Sequence, residues 1–146
     1  MSLSPAATKA AAAAVGKRGV FIGGNWKCNP ATRAAVAKLC SDLTGLGAVP
    51  AGTTVVVAPP ALYLTQVQAE LKHPEVAVAA QNVWKGGAGA FTGELAVAQL
   101  KDLGVNWVIL GHSERRSVVA SETSVLVAEK VRAALDGGLS VIACIG

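Results

Sequence analysis

Charge is scarce in this sequence. Only 15% of its 146 residues are Asp, Glu, Lys or Arg, against about 25% in an ordinary globular domain. Apolar residues make up 52%, so the chain reads as soluble and core-rich, with little surface of its own, and at one domain's length it can bury a substantial core. The 13 basic and 9 acidic residues are scattered, and only Arg115 and Arg116 stand together in a reactive-looking context. The dense basic stripe that nucleic acid requires is missing. Long apolar runs are missing too. Pro, Thr, Lys and Asn interrupt every candidate before the roughly 18 residues of a membrane helix, which argues against a membrane partner. Cysteine is sparse and odd in number: Cys28, Cys40 and Cys144 have no metal-ligand spacing and no even count for a disulfide framework. That pattern suits a reducing compartment, and no metal is expected.

Residues 1–18, MSLSPAATKAAAAAVGKR, hold no acid and are rich in Ala and Ser. They read as a mobile tail ahead of one domain over 19–146. An organelle transit sequence has similar composition, but this stretch is brief and carries a single Arg. The expected location is the cytoplasm, with a plastid as the alternative.

After the tail, short apolar runs alternate with stretches of helical period, the pattern of a parallel sheet built from β/α units. Gly19–Trp26 reads as a first buried strand. From Pro30 the positions Ala35, Leu39, Leu43 and Leu46 predict a helix ending near Gly45 or Gly47. Thr53–Ala58, stopped by Pro59-Pro60, predicts a strand buried on both faces. Leu64, Val67 and Leu71 mark the next helix and Val76–Ala80 a third strand. The connection from Gln81 to Glu94, QNVWKGGAGAFTGE, is long enough to suggest function. Leu95, Leu100 and Leu103 predict a helix, Asn106–Leu110 a fourth strand, Val127, Val131, Ala134 and Leu135 the inner face of a further helix, and Ser140–Ile145 a fifth strand. The chain stops at Gly146, directly after that strand. A buried parallel strand makes an improbable terminus, so the sequence reads as a fragment, expected to be unstable, aggregated or swapped if made alone.

Polar residues gather where strands end, the place at which parallel α/β folds bind ligands. Strand one finishes in Asn25-Trp26-Lys27, strand three in Gln81-Asn82, strand four in His112-Ser113-Glu114-Arg115. An amide, an ammonium and an imidazole on adjoining strand ends can converge on an oxyanion or a phosphorylated substrate. Each has a plainer reading: Lys27 as a solvated lysine, His112 as a satisfied structural histidine, Glu114 and Arg115 as a first-turn acid and a solvated base. His73, before Pro74, reads as surface, Cys144 as a small buried hydrophobe, and Trp84 and Trp107 as packing. The glycines of GGAGAFTG do not fit a dinucleotide loop, because Thr92 stands where G-x-G-x-x-G needs Gly.

Four segments taken together are more specific than any member. GGNWKCN at 23–29, AAQNVWKGGAGAFTGE at 79–94, GHSERR at 111–116 and VIACIG at 141–146 closely resemble the triosephosphate isomerase family in order and spacing. The resemblance runs from about Val20 to the last residue. It implies the first five strands and four helices of a TIM (β/α)8 barrel, and an isomerase that interconverts glyceraldehyde 3-phosphate and dihydroxyacetone phosphate through an enediolate, without cofactor or metal.

By that resemblance Lys27 would bring positive charge to the phosphate and the developing oxyanion, and Asn25 would orient the substrate. His112 would be the electrophile, hydrogen-bonding from a neutral imidazole; the family is itself a standing example of a histidine kept neutral by a helix N-terminus. Glu114 would lie behind Lys27, and Ser113 beside the site. The family's general base, a glutamate after strand six, and the phosphate-binding amides after strands seven and eight have no counterpart here, so this polypeptide alone is expected to be inactive. The family is dimeric, which would place Cys28 in an interface, away from solvent, and bring Thr92 to the partner's Asn25 and Lys27. Two other readings are a noncatalytic α/β binding module and another sugar-phosphate barrel enzyme, the latter disfavoured by NWKCN and GHSERR together.

Overall fold

The computed structural model describes residues 19–145, and the Ala- and Ser-rich stretch 1–18 lies outside the described residues. Five strands form one parallel sheet in chain order: β1 (Val20–Asn25), β2 (Thr53–Ala58), β3 (Val76–Ala80), β4 (Trp107–Leu110) and β5 (Ser140–Ala143). Four α-helices alternate with them: α1 (Arg33–Thr44), α2 (Leu64–Glu70), α3 (Val97–Asp102) and α4 (Ser124–Asp136). A short 3-10 turn precedes α2, and a π-helical turn, Glu114–Val119, follows β4. Thr32 caps α1 and Thr123 caps α4 through their side-chain oxygens, each satisfying an amide of the first turn.

Strand alternation sorts the side chains into two layers. Val78, Ala80, Val108 and Leu110 face the helices and join Val36, Cys40, Leu64, Val67, Leu100 and Ala134 in the larger core. Val56, Ala58, Ala79 and Ile109 face the other way, with Trp107 and Ile142 against them. Phe21 of β1 meets Trp107 of β4 at 5.5 Å between ring centroids. In a flat sheet those strands would lie about 14 Å apart, three spacings of about 4.8 Å, so the sheet is curled. The result is a partly closed parallel barrel with its helices outside, as the resemblance implies.

Several expectations change. The first strand is not buried: Val20, Phe21 and Ile22 are 59%, 43% and 54% exposed. Among the described residues β1 pairs only with β2, and α1 packs on α2 rather than over β1. The near end of β2 is only half-buried for the same reason, its burial becoming complete at Val56–Ala58. In α1 the inner face is Val36 and Cys40, while Leu39 is exposed, as is Leu46 just past the end of the helix. Burial pushes the Cys40 thiol up, and the Glu70 carboxylate adds to it. In α4 the inner face centres on Val127 and Ala134, with Lys130 on one flank; Leu135, about 80° round the helix from Val127, is 55% exposed. Cys144 is half-buried rather than buried.

His73 is also not a surface residue. It is only 7% exposed, its Nε2 lies 3.2 Å from the Gly47 carbonyl, and its Nδ1 accepts the Glu75 amide at 3.3 Å. The ring thus ties the loop after α1 to the approach of β3. A histidine before proline carries no sequence sign of such a role.

Candidate active site

The C-terminal ends of β1, β3 and β4 lie along one rim of the curled sheet because the strands are parallel and their registers run in step, with Asn25 opposite Ala58 and Ala80 opposite Val108. The side chain of Asn25 turns toward its own chain. Its Oδ1 accepts the Lys27 amide at 2.8 Å, and among the described residues nothing accepts from its Nδ2. Lys27 has φ 55°, a left-handed conformation rare for a residue with a side chain. Its Nζ reaches Glu114 Oε1 at 2.8 Å. That hydrogen bond holds the Glu114 carboxyl below its ordinary pKa; partial desolvation works against the shift, and the positive charge of Lys27 adds to it.

His112 follows Gly111 at the end of β4. Its Nδ1 accepts the Glu114 amide at 3.3 Å, while Glu114 Oε2 lies 3.5 Å from the same nitrogen, beyond ordinary hydrogen-bond range. An amide can donate only to an unprotonated ring nitrogen, so this arrangement belongs to the neutral Nε2–H tautomer. The His112 carbonyl accepts the amides of Arg115 and Arg116 at 2.9 and 3.1 Å, so the chain begins to turn at the histidine, just ahead of the π-helical stretch Glu114–Val119. A turn of that kind inside a helical stretch is a frequent mark of functional sites.

Gly111 and Arg116 fix where His112 points. Arg116 donates from Nε to the Gly111 carbonyl at 2.7 Å, from Nη2 to the Cys144 carbonyl at 3.1 Å and from Nη1 to Ser124 Oγ at 3.1 Å. Gly111 has φ +74°, and a Cβ there would stand 2.8 Å from both Arg116 Nη2 and Val127 Cγ1 and 2.9 Å from the Cys144 carbonyl. Gly111→Ala is therefore expected to cost at least about 2 kcal/mol. The denaturation midpoint of the full-length protein reads this out; a midpoint equal to the parent's would contradict it.

Asn25, Lys27, His112 and Glu114 thus come together. Ser113 is exposed beside them, its carbonyl accepting the Ser117 hydroxyl at 2.9 Å. Thr92, near the C-terminal end of the long loop, and Cys28 do not join the cluster, and both are exposed in the single chain, so Cys28 is not shielded from solvent here.

A second polar constellation escaped the sequence. Glu122 is 3% exposed and Lys130 is 1% exposed. Glu122 Oε1 accepts from Arg115 Nε at 2.6 Å and from Lys130 Nζ at 2.7 Å. Lys130 also donates to Asn82 Oδ1 at 3.0 Å, and Asn82 Nδ2 donates to Glu94 Oε2 at 3.0 Å. Burial raises the Glu122 carboxyl, but the hydrogen bonds from Lys130 and Arg115 outweigh it and leave the group below the usual glutamate range. Because Asn82 and Glu94 stand at the two ends of the long loop, the network closes its base, with the Trp84 amide bonded to the Leu95 carbonyl at 2.7 Å. The one available sequence signal was helical period: Lys130 lies three residues after Val127 and four before Ala134, on the flank of an apolar face.

Comparison with known proteins bears on the family rather than on single residues. The sequence model of the triosephosphate isomerase family matches residues 20–146. The chain is 49% identical over 149 residues to the chloroplastic triosephosphate isomerase of Fragaria ananassa, covering 100% of this chain and 46% of that one. It is 53% identical over 129 residues to the triosephosphate isomerase of Coprinopsis cinerea, covering 88% and 50%. With the cytosolic triosephosphate isomerase of Stellaria longipes it shares 49% identity over 130 residues, covering 88% and 49%. The chain spans about half the length of the curated relatives it matches. With five parallel strands curled as in that barrel and the match running unbroken from β1 to the last residue, the chain belongs to the triosephosphate isomerase family.

Proposed function

We propose that this chain supplies the substrate-orienting and electrophilic side of a triose-phosphate isomerase acting in glycolysis and gluconeogenesis. The observation that carries the reading is the Lys27–Glu114–His112 cluster, in which the imidazole accepts at Nδ1 and so offers Nε2–H as a donor. Interconverting D-glyceraldehyde 3-phosphate and dihydroxyacetone phosphate moves only protons. As a proton leaves the carbon beside the carbonyl, negative charge gathers on oxygen, and a donor already aimed there lowers the barrier without reorganisation. His112 donates to that oxygen and shuttles a proton between the two enediolate oxygens. Lys27 supplies charge to the phosphate and the oxyanion, and Asn25 orients the substrate through its Nδ2. Glu114, ionised through the neutral range, holds the ammonium until a phosphate competes for it.

The reaction also needs a base at carbon. The family carries it after a sixth strand, and Glu94 and Glu114 are committed to Asn82 and Lys27. A positioned base contributes about 10² to 10⁴-fold. The 146-residue polypeptide alone is therefore expected to show no measurable turnover, while the full-length gene product isomerises. Robust turnover by the short chain would sink the division of labour, and a full-length product that binds the triose phosphate without converting it would instead favour a binding module.

The full-length protein is proposed to be a homodimer, with Cys28 in the interface and Thr92 approaching the partner's Asn25 and Lys27. The exposure of both residues in the single chain supports this. The proposed compartment is the cytoplasm, with a plastid as the alternative. Three unpaired thiols suit either, and relatives named cytosolic and chloroplastic both match.

A further inference from the structure

We propose that Gln81 is a positioning residue for Lys27, acting on its backbone rather than on its ammonium. The Gln81 Nε2 donates to the Lys27 carbonyl at 2.8 Å and to the Ala58 carbonyl at 2.8 Å. Ala58 ends β2, Gln81 follows β3 directly, and Lys27 lies two residues past β1, so one amide ties three strand ends together.

The tie matters because of what it holds. Among the described residues only Lys27 and Ser121 have positive φ without being glycine. A left-handed lysine costs on the order of 1 to 2 kcal/mol and relaxes unless its surroundings fix it. Lys27 is gripped on both sides: Asn25 Oδ1 takes its N–H at 2.8 Å, and Gln81 donates to its C=O at 2.8 Å. Relaxation of φ would swing the side chain off the rim and away from Glu114. The chemistry of the clamp is also specific. Its two partners are both carbonyl acceptors, and a primary amide has one hydrogen for each. A carboxylate of the same shape would set negative charge against both oxygens.

The inference rests on the proposed isomerase reading, and its test separates the two. In the full-length protein, Gln81→Leu removes both donors at similar size. Because Lys27 binds substrate in the ground state as well as the transition state, KM for glyceraldehyde 3-phosphate is expected to rise about tenfold, with a smaller fall in kcat. Gln81→Glu adds a pH signature. The introduced carboxyl repels both carbonyls when ionised and donates to one when protonated, so its KM relative to the parent should improve from about pH 8 to about pH 5. For Gln81→Leu that ratio should stay flat. A purely structural glutamine would lower the melting temperature and leave KM and its pH dependence alone, and KM within about twofold of the parent in both folded variants overturns the proposal.

Should neither variant fold, Gln81→Asn, too short to reach both carbonyls, decides: a raised KM supports the clamp, and parental KM or a third failure to fold overturns it. If the unsubstituted protein does not isomerise at all, the functional reading fails instead. The three-bond HN–Hα coupling of Lys27 then tests the clamp by itself, a changed coupling in Gln81→Leu supporting it and an unchanged one overturning it.

Discussion

Lys27→Ala in the full-length protein is expected to lower kcat/KM for glyceraldehyde 3-phosphate by about 10³-fold, or about 4 kcal/mol of transition-state stabilisation. The size follows from how the neighbouring cations are occupied. Arg115 is bound to Glu122, Arg116 spends its guanidinium on two carbonyls and a hydroxyl, and Lys130 is buried against Glu122 and Asn82. Lys27 alone in this group pairs with a carboxylate that is itself open to solvent, its side chain 53% exposed and that of Glu114 42% exposed. Such a pair exchanges readily when a phosphate arrives, because screened surface partners hold each other weakly. Part of the loss should appear in KM and part in kcat, since the ammonium serves both the bound phosphate and the developing oxyanion. Steady-state kinetics on a variant with parental melting temperature give the answer, and a fall of less than about tenfold would remove Lys27 from the mechanism.

Glu122→Ala is expected to destabilise the full-length protein by about 3 to 5 kcal/mol, because it strips the carboxylate from a buried ammonium and leaves Lys130 only the Asn82 carbonyl and the face of the Trp84 ring. Denaturant unfolding measures it, and a loss under about 1 kcal/mol would show that Lys130 finds another partner or moves to water. The same carboxyl predicts a pH dependence. Its folded pKa lies below the unfolded value, so the stabilisation is complete above the ordinary glutamate pKa of about 4.3 and is lost as pH falls through the folded one. Glu122→Gln should flatten that acid limb. Since the network closes the base of the 81–94 loop, amide exchange there should quicken in Glu122→Ala before it does in β2 or β3.

The element plan was legible because each signal for it is local. Val76–Ala80 stands where the sequence puts it, the apolar run being bounded on both sides, and the helix stop at Gly137-Gly138 holds as well. What failed were statements about burial. A period identifies which residues share a face but not whether anything covers that face, and so β1, Leu39 and Leu135 are exposed although their patterns are sound. His73 failed in the opposite direction, its carbonyl partner lying 26 residues away in sequence.

Asn25, Lys27 and His112 were legible as strand-end residues and, more sharply, through four segments resembling one family. The sequence by itself determined the parallel β/α order, the strand ends that bear the polar groups, and the family. Only the tertiary structure decided that Glu114 holds Lys27, that Nδ1 of His112 is the accepting nitrogen, that Lys27 is left-handed under the grip of Asn25 and Gln81, and that Glu122 and Lys130 are buried together. The physical reason is range. Helical and strand periods, caps and turns are set by residues a few positions apart, whereas Gln81 meets Lys27 across 54 positions and Lys130 meets Asn82 across 48, contacts that exist only once the sheet has curled and brought its strand ends to one rim.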